Sequence, residues 1–291
     1  MRMKRLNLIL IHIHTHNSKN MTYEEDDNMF SLSELYHENS KMRNIDREFY
    51  AWVNHVNTSP QIRKMISNPN YNYNGYDSIN LNDYFSFRDE GDILCDIIKN
   101  RRSNRKFIDK SIDLYSLSKI LNFANGVTLQ TNESDGSTWK LRSTPSPGGL
   151  YPIEIYCIIK NIDNLEPGIY LYSPIINNLI QIEKNNKDVL FERLCKAMSP
   201  MKQTLKNSPV TFLLCANMPR INFKYKERAY RFALLEVGHI AQNILIGTGA
   251  ENLGSICIGG YIDNELNTLI NADGVNKIVH YAVSIGHIQK D

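Results

Sequence analysis

The sequence predicts an α+β domain, a mixed and mostly antiparallel sheet flanked by helices, on three observations. Short β-rich segments at 153–160, 168–172 and 179–182 follow one another closely enough to form an antiparallel meander. Tyr230, Leu234, Val237, Ala241, Ile244, Leu245 and Thr248 recur at helical spacing and mark one face of a long helix over 227–250. There is no βαβ rhythm and no G-x-G-x-x-G after a strand, which excludes a Rossmann domain.

The elements follow in order. Residues 1–90 are rich in Asn, Asp, Tyr and Ser and are read as an N-terminal extension, with one helix expected at 42–56. His12, His14 and His16 would share one face of a strand, but no carboxylate or thiolate is placed to complete a metal site. Residues 91–291 are read as the catalytic domain. Its apolar segment 93–98 leads into a basic turn at 101–107, and Leu114, Leu117, Leu121 and Ala124 then predict a helix stopping at Gly126. A polar stretch ending near Trp139 precedes 142–152, a run so dense in Pro, Gly and Ser that it must be a loop. After the meander come a short helix at 188–198, a buried strand at 209–215 and the long helix, which Gly254 closes. A short strand at 256–258, a turn at Gly259-Gly260 and an alternating strand at 278–285 complete the chain.

Composition narrows the function classes. The net charge of +2 over 291 residues provides no broad positive field for nucleic acid. The five cysteines are widely spaced, without a C-x-x-C pair, as in a reduced cytoplasmic protein; Cys157 and Cys215 stand in apolar runs as small hydrophobes. The apolar run near the N-terminus is broken by Asn7 and lacks a small-residue cleavage site, so no secretory signal is expected. No stretch approaches the roughly 18 apolar residues of a membrane helix.

Two segments carry candidate chemistry. Arg101, Arg102, Ser103 and Arg105 offer guanidinium forks and a hydroxyl that could enclose a phosphate monoester; on charge alone they are equally a solvated basic turn. In the loop, Pro145 and Pro147 stiffen the chain while Gly148 and Gly149 let backbone N–H groups approach a flat ligand. Glu236 and His239 form an E-x-x-H pair, half of a carboxylate di-iron site, but no second half exists. His239 is therefore expected as a core or interface histidine, with no metal.

The motif Arg-Arg-Ser-x-Arg-x-Phe at 101–107 resembles the opening motif of the nitroreductase superfamily. The runs Thr-Pro-Ser-Pro-Gly-Gly-Leu-Tyr-Pro-Ile-Glu-Ile-Tyr at 144–156 and Lys-Tyr-Lys-Glu-Arg-Ala-Tyr-Arg-Phe-Ala-Leu-Leu-Glu-Val-Gly-His-Ile-Ala-Gln-Asn at 224–243 are similar to those of SagB-type dehydrogenases, the azoline oxidases of thiazole and oxazole peptide biosynthesis. Tyr-His-Glu-Asn-Ser-Lys at 36–41 resembles the segment such proteins carry upstream of the flavin domain. The resemblance implies a homodimer with FMN at its interface. Arg101, Arg102, Ser103 and Arg105 would hold the phosphate and ribityl chain, and Pro145, Ser146, Gly148 and Gly149 would lie along the isoalloxazine. Gln242 and Asn243 would reach the flavin from the long helix, and Gly259 and Gly260 would close the pocket.

Lys224 and Tyr225 match the pair at the reacting ring, and either could be the base. Aromatising a thiazoline or oxazoline removes a hydride and a proton, so a positioned base is needed beside the flavin. By pattern alone the two are surface residues at the start of a helix. The implied activity is oxidation of azolines in a ribosomally made peptide, with a cyclodehydratase as partner and residues 1–90 as a docking region. An NAD(P)H-dependent nitro- or quinone-reductase on the same fold, or a non-catalytic subunit of a peptide-modifying complex, are the competing readings.

Overall fold

Strand β3 (Ile153–Ile159) is buried on both faces, and the sheet is built outward from it. The computed structural model describes residues 31–42, 47–62, 92–132 and 138–289. The chain divides after Ser31, and the site lies in the unit Leu32–Asp291. His12, His14 and His16 fall outside the described residues.

The meander is present: β3 pairs with β4 (Gly168–Ser173), which pairs with β5 (Asn178–Lys184). On its other side β3 pairs with β6 (Val210–Asn217), followed by β8 (Lys277–Gly286) and β7 (Gly254–Ile258), in the order β5-β4-β3-β6-β8-β7. Every ladder in this six-stranded sheet is antiparallel, which corrects the expected mixed sheet. The parallel contacts among the described residues are isolated bridges, Ser103 to Ser255 and Ile112 to Ile162.

Helices cover both faces. Over one lie α4 (Leu114–Asn125) and the long α8 (Arg228–Ala250), packed on Ile155, Cys157, Phe212, Leu214 and Val283. Over the other lie α5 (Lys187–Ala197), α6 (Lys202–Lys206) and α9 (Asp263–Leu269), packed on Tyr156, Ile158, Leu213, Cys215 and Ala282. The side chains of β3 and β6 alternate between these two cores, so both strands read as continuous apolar runs. In β8 the register shifts opposite Leu214 and Cys215, skipping His280. This bulge exchanges the faces, placing Ile278 and Val283 on the same side although their spacing is odd.

Several elements depart from expectation. The stretch before Trp139 is a hairpin, β1 (Val127–Asn132) with β2 (Thr138–Arg142), whose residues are half-buried or exposed and so lack the alternation of a core strand. The helix expected at 42–56 is α2 (Arg47–Thr58), and a helix the sequence did not suggest, α1 (Leu32–Ser40), precedes it. α3 (Ile93–Asn100) leads into the basic segment as expected, capped by Asp92 accepting from the Leu94 N–H at 2.9 Å. Leu234, assigned to the buried face of α8, is 39% exposed, and the fully buried positions on that turn are Ala233 and Glu236. Gly254 opens β7 rather than closing the helix; a Cβ there would sit 2.2 Å from Ile288, so the strand needs glycine at that close approach.

The central packing is testable. Phe212 is the largest fully buried side chain and sits at the middle of β6. Phe212→Ala should lower unfolding free energy by about 3–5 kcal/mol through lost burial and a residual cavity. Urea unfolding of both proteins measures it, and a loss below about 1 kcal/mol would show that the core collapses around the gap.

Candidate active site

The loop after β2 is tied down at both ends and strained in the middle. The Thr144 hydroxyl donates to the Ala124 carbonyl at 2.6 Å and accepts from Asn243 Nδ2 at 3.0 Å, joining α4, the loop and α8. Ser146 Oγ donates to Glu236 Oε2 and accepts the Tyr151 N–H at 2.8 Å. Between these ties Gly148 and Gly149 take φ of 63° and 66°, and Tyr151 takes 48°, a left-handed conformation that costs a non-glycine residue roughly 1 kcal/mol. Tyr151 is held there by more than the Ser146 bond: its hydroxyl accepts the Arg142 N–H at 2.9 Å, and the Arg142 guanidinium lies 4.4 Å above its ring.

Against this loop the chain delivers Lys224 and Tyr225. They end α7 (Pro219–Tyr225), rather than opening a helix, and α7 is anchored by the fully buried Ile221. Lys226 then adopts φ 47° and turns the chain into α8. A Cβ on Gly148 would lie 2.6 Å from both Lys224 Nζ and Tyr225 Oη, so both polar tips rest on the bare glycine backbone. The lysine nitrogen sits 5.3 Å from the Tyr225 ring, whose orientation is set by an edge contact to Phe232 at 4.9 Å. Lys224 is exposed and Tyr225 half-buried, so both can be reached from solvent.

The basic segment lies along β7. The Asn104 N–H donates to the Ser255 carbonyl at 2.9 Å, and Ser103 bridges to Ser255. Arg101, Ser103 and Arg105 are exposed, with Arg105 Nη1 donating to the Ser103 carbonyl at 3.4 Å. Arg102 differs, because its Nη1 turns back to the Lys99 and Arg101 carbonyls at 2.9 Å each, covering the C-terminus of α3. Arg101 lies close enough to Cys257 to favour its thiolate, although burial dominates and pushes that thiol up. Gly259 comes directly after the end of β7, with Tyr281 3.6 Å from where its Cβ would be, and Gly260 follows it. Thus Arg101, Ser103, Cys257 and Gly259 share one edge of the sheet. Gln242 is exposed on α8, and Pro145 is exposed on the loop.

Glu236 is the functional residue that sequence reasoning undervalued. It is 0% exposed, and burial raises its pKa to about 7 against the opposing pull of Ser146, the Ile153 N–H, Arg142 and Arg220. Its Oε1 has no partner among the described residues. An acid on the inner stripe of an otherwise apolar helix was the available signal. Its partner in the E-x-x-H pair, His239, is exposed in this chain, which excludes the core alternative for that residue.

The fold and the loop coincide with a known family. The nitroreductase family model matches residues 98–287, and the chain belongs to that family. The Methanocaldococcus jannaschii protein MJ1384, which carries a nitroreductase name, is 30% identical over 177 residues, 61% of this chain and 83% of that protein. The microcin B17-processing protein McbC of Escherichia coli is 28% identical over 176 residues, 59% of this chain and 61% of McbC. Among solved structures, a chain of the E. coli microcin synthetase McbBCD complex with truncated pro-MccB17 bound superposes with a TM-score of 0.61 at 22% identity, covering 91% of this chain and 100% of that one. An Anabaena variabilis protein of nitroreductase name superposes at 0.53 with 24% identity, over 88% of this chain and 46% of its own. These two superpositions bear on the fold alone. No helix among the described residues is long and apolar enough to cross a membrane.

Glu236 makes stability depend on pH with a definite sign. Its folded pKa of about 7 lies above the ordinary carboxyl value of 4.5, so between these values the unfolded chain gives up a proton that the native chain keeps. Stability should fall as pH rises through that window, by on the order of 3 kcal/mol, and level off above it. Glu236→Gln should flatten this slope in urea unfolding between pH 4.5 and 7; an unchanged slope would show that the carboxyl ionises freely in the native state.

Proposed function

We propose that this chain is an FMN-dependent dehydrogenase that oxidises thiazoline or oxazoline rings of a ribosomally made peptide to thiazole or oxazole. The observation that carries this reading is the seating of Lys224 Nζ and Tyr225 Oη together on Gly148, within the loop that would face a flat cofactor. The similarity to a microcin B17-processing protein supports a peptide substrate. On the same ground a cyclodehydratase is the expected partner, with residues 1–90 as its docking region or that of the peptide.

The residues fit FMN. The exposed forks of Arg101 and Arg105, the Ser103 hydroxyl and the Gly259-Gly260 turn present cationic and neutral donors on one sheet edge, as a phosphate monoester requires. None of the three arginines at 101–105 is ion-paired among the described residues. The positive-φ backbone at Gly148 and Gly149 leaves a surface without side chains for a planar ring. FMN, when bound, supplies a hydride acceptor. Lys224 or Tyr225 takes the proton from the ring carbon next to the one that loses hydride, so the azoline loses two hydrogens and becomes aromatic. Thr144 and Ser146 hold the loop against α8 so that Gly148 keeps its place beneath both side chains.

Completion of the site by a second copy of the chain is part of the proposal. Gln242 is exposed on α8, on which Leu235 is 54% and Leu234 39% exposed, apolar groups that a partner subunit would bury.

Two measurements decide the reading. Lys224→Ala combined with Tyr225→Phe should leave FMN occupancy unchanged while azoline oxidation is lost; unchanged turnover would remove both residues from catalysis. Rapid bleaching of bound FMN by NADPH, with none by an azoline peptide, would assign the chain to the nitro- and quinone-reductases instead. Separately, Arg101→Ala deletes a charge-assisted contact worth about 1.5–3 kcal/mol and should weaken FMN retention by about tenfold or more. Equilibrium dialysis measures this, and equal retention would leave Arg101 outside the phosphate site.

A further inference from the structure

Beside the glycine loop lies a cavity of about 510 Å³ that the proposed chemistry does not use, between β2, residues 149–151 and α7. Lys140, Arg142 and Arg220 line it, among Trp139, Tyr151 and Phe223. Lys140 and Arg142 stand two apart on β2 and so share a face of the hairpin. No Asp or Glu is among the described residues of its wall, and none of the three cations is ion-paired among the described residues.

Among the described residues, uncharged groups hold these cations. Lys140 Nζ donates to the Ile175 carbonyl at 3.4 Å, and Arg220 Nε donates to the Leu150 carbonyl. The Arg142 guanidinium lies over the Tyr151 ring, and its buried Nε has no acceptor among the described residues. Burial, and then the charge of Arg220, depress the pKa of Arg142, and Glu236 offsets them only in part. Convergent guanidinium forks with an unfilled donor are stabilised by an anion, and the planar fork suits a carboxylate. Gly149 lines this cavity and the adjacent Gly148 carries Lys224 and Tyr225, so the two places are one residue apart along the loop.

The geometry points to this cavity as an anion subsite that takes a carboxylate carried next to the reacting ring, an acidic residue of the modified peptide. The inference rests on the azoline reading only for the identity of that peptide; the preference for a planar carboxylate belongs to the cavity itself.

Trp139 lies in the wall, and Trp52, 60% exposed on α2, can be replaced by Phe to isolate its fluorescence. In that background the FMN-loaded chain should show saturable quenching by benzoate and none by benzamide. Lys140→Gln with Arg220→Gln should weaken benzoate by about tenfold with FMN occupancy unchanged; if that variant fails to fold, Lys140→Gln alone should weaken it by about threefold. Azoline peptides with Glu beside the ring should show a lower KM than those with Gln, and the double variant should erase that difference without changing kcat. Equal quenching by benzoate and benzamide, or unaltered benzoate binding in the variants, would overturn the subsite. Displacement of benzoate by inorganic phosphate at lower concentration would assign the cavity to a phosphate-bearing molecule and overturn the carboxylate assignment. Benzoate selectivity without oxidation of either peptide would keep the subsite and remove the azoline reading. Equal oxidation of both peptides without benzoate binding would do the reverse.

Discussion

The bond between Ser146 and the buried Glu236 is the constraint on which the site depends. A carboxyl group taken fully out of water is costly unless its oxygens are engaged, and here the ligand is the loop itself. Ser146 passes the restraint on, because the same hydroxyl accepts the Tyr151 N–H and so helps hold a tyrosine in the left-handed region. With Thr144 tied to Ala124 and Asn243, the two ends of the glycine pair are fixed to α4 and α8 before any ligand binds. That is preorganisation: the strain at residues 148, 149 and 151 is borne by surrounding packing and hydrogen bonds rather than by binding energy.

Helix α1 reinforces the start of α8. The Ser33 N–H donates to Glu227 at 3.0 Å, and His37 Nδ1 bonds Tyr230 Oη at 2.8 Å, both partners lying where α7 gives way to α8. His280, displaced by the bulge of β8, completes an aromatic cluster with His37 and Tyr230 at ring separations of 5.2–5.8 Å. Burial lowers the pKa of both histidines, that of His280 to about 3, so the cluster packs as neutral rings near neutral pH. The Tyr-His-Glu-Asn-Ser-Lys segment thus has a structural role: it clamps the start of α8, one turn beyond Lys224 and Tyr225.

What was legible in the sequence follows from burial. β3 and β6 pack on both faces, so their apolar runs announced them, and α8 was evident because most of its inner stripe is apolar. The β1–β2 hairpin was not, since its residues are half-buried or exposed and its stability comes from cross-strand pairing that leaves no hydrophobic period. α6, α7 and α9 span five to seven residues, too few to establish a helical period. Lys224 and Tyr225 carry no pattern of their own; family resemblance found them, and the loop contact that gives them meaning is long-range. Glu236 was visible but read through its neighbour His239, when the better question was what a charge was doing among Ala233, Val237 and Ile240.

The glycine loop is a wall with two sides. Pro145 and Pro147 reduce the conformations open to the chain on either side of Ser146, which makes the loop a stiff partition rather than a flap. Gly148 turns its bare backbone toward Lys224 and Tyr225, while Gly149 approaches Trp139, with 3.4 Å between its Cβ position and the indole. A side chain at Gly148 would have to displace Lys224 and Tyr225, and at both positions it would have to adopt positive φ. The proposed proton transfer and the proposed charge recognition therefore share a single element. Any displacement of Ser146 from Glu236 would shift both at once, so the buried carboxyl sets the spacing between them.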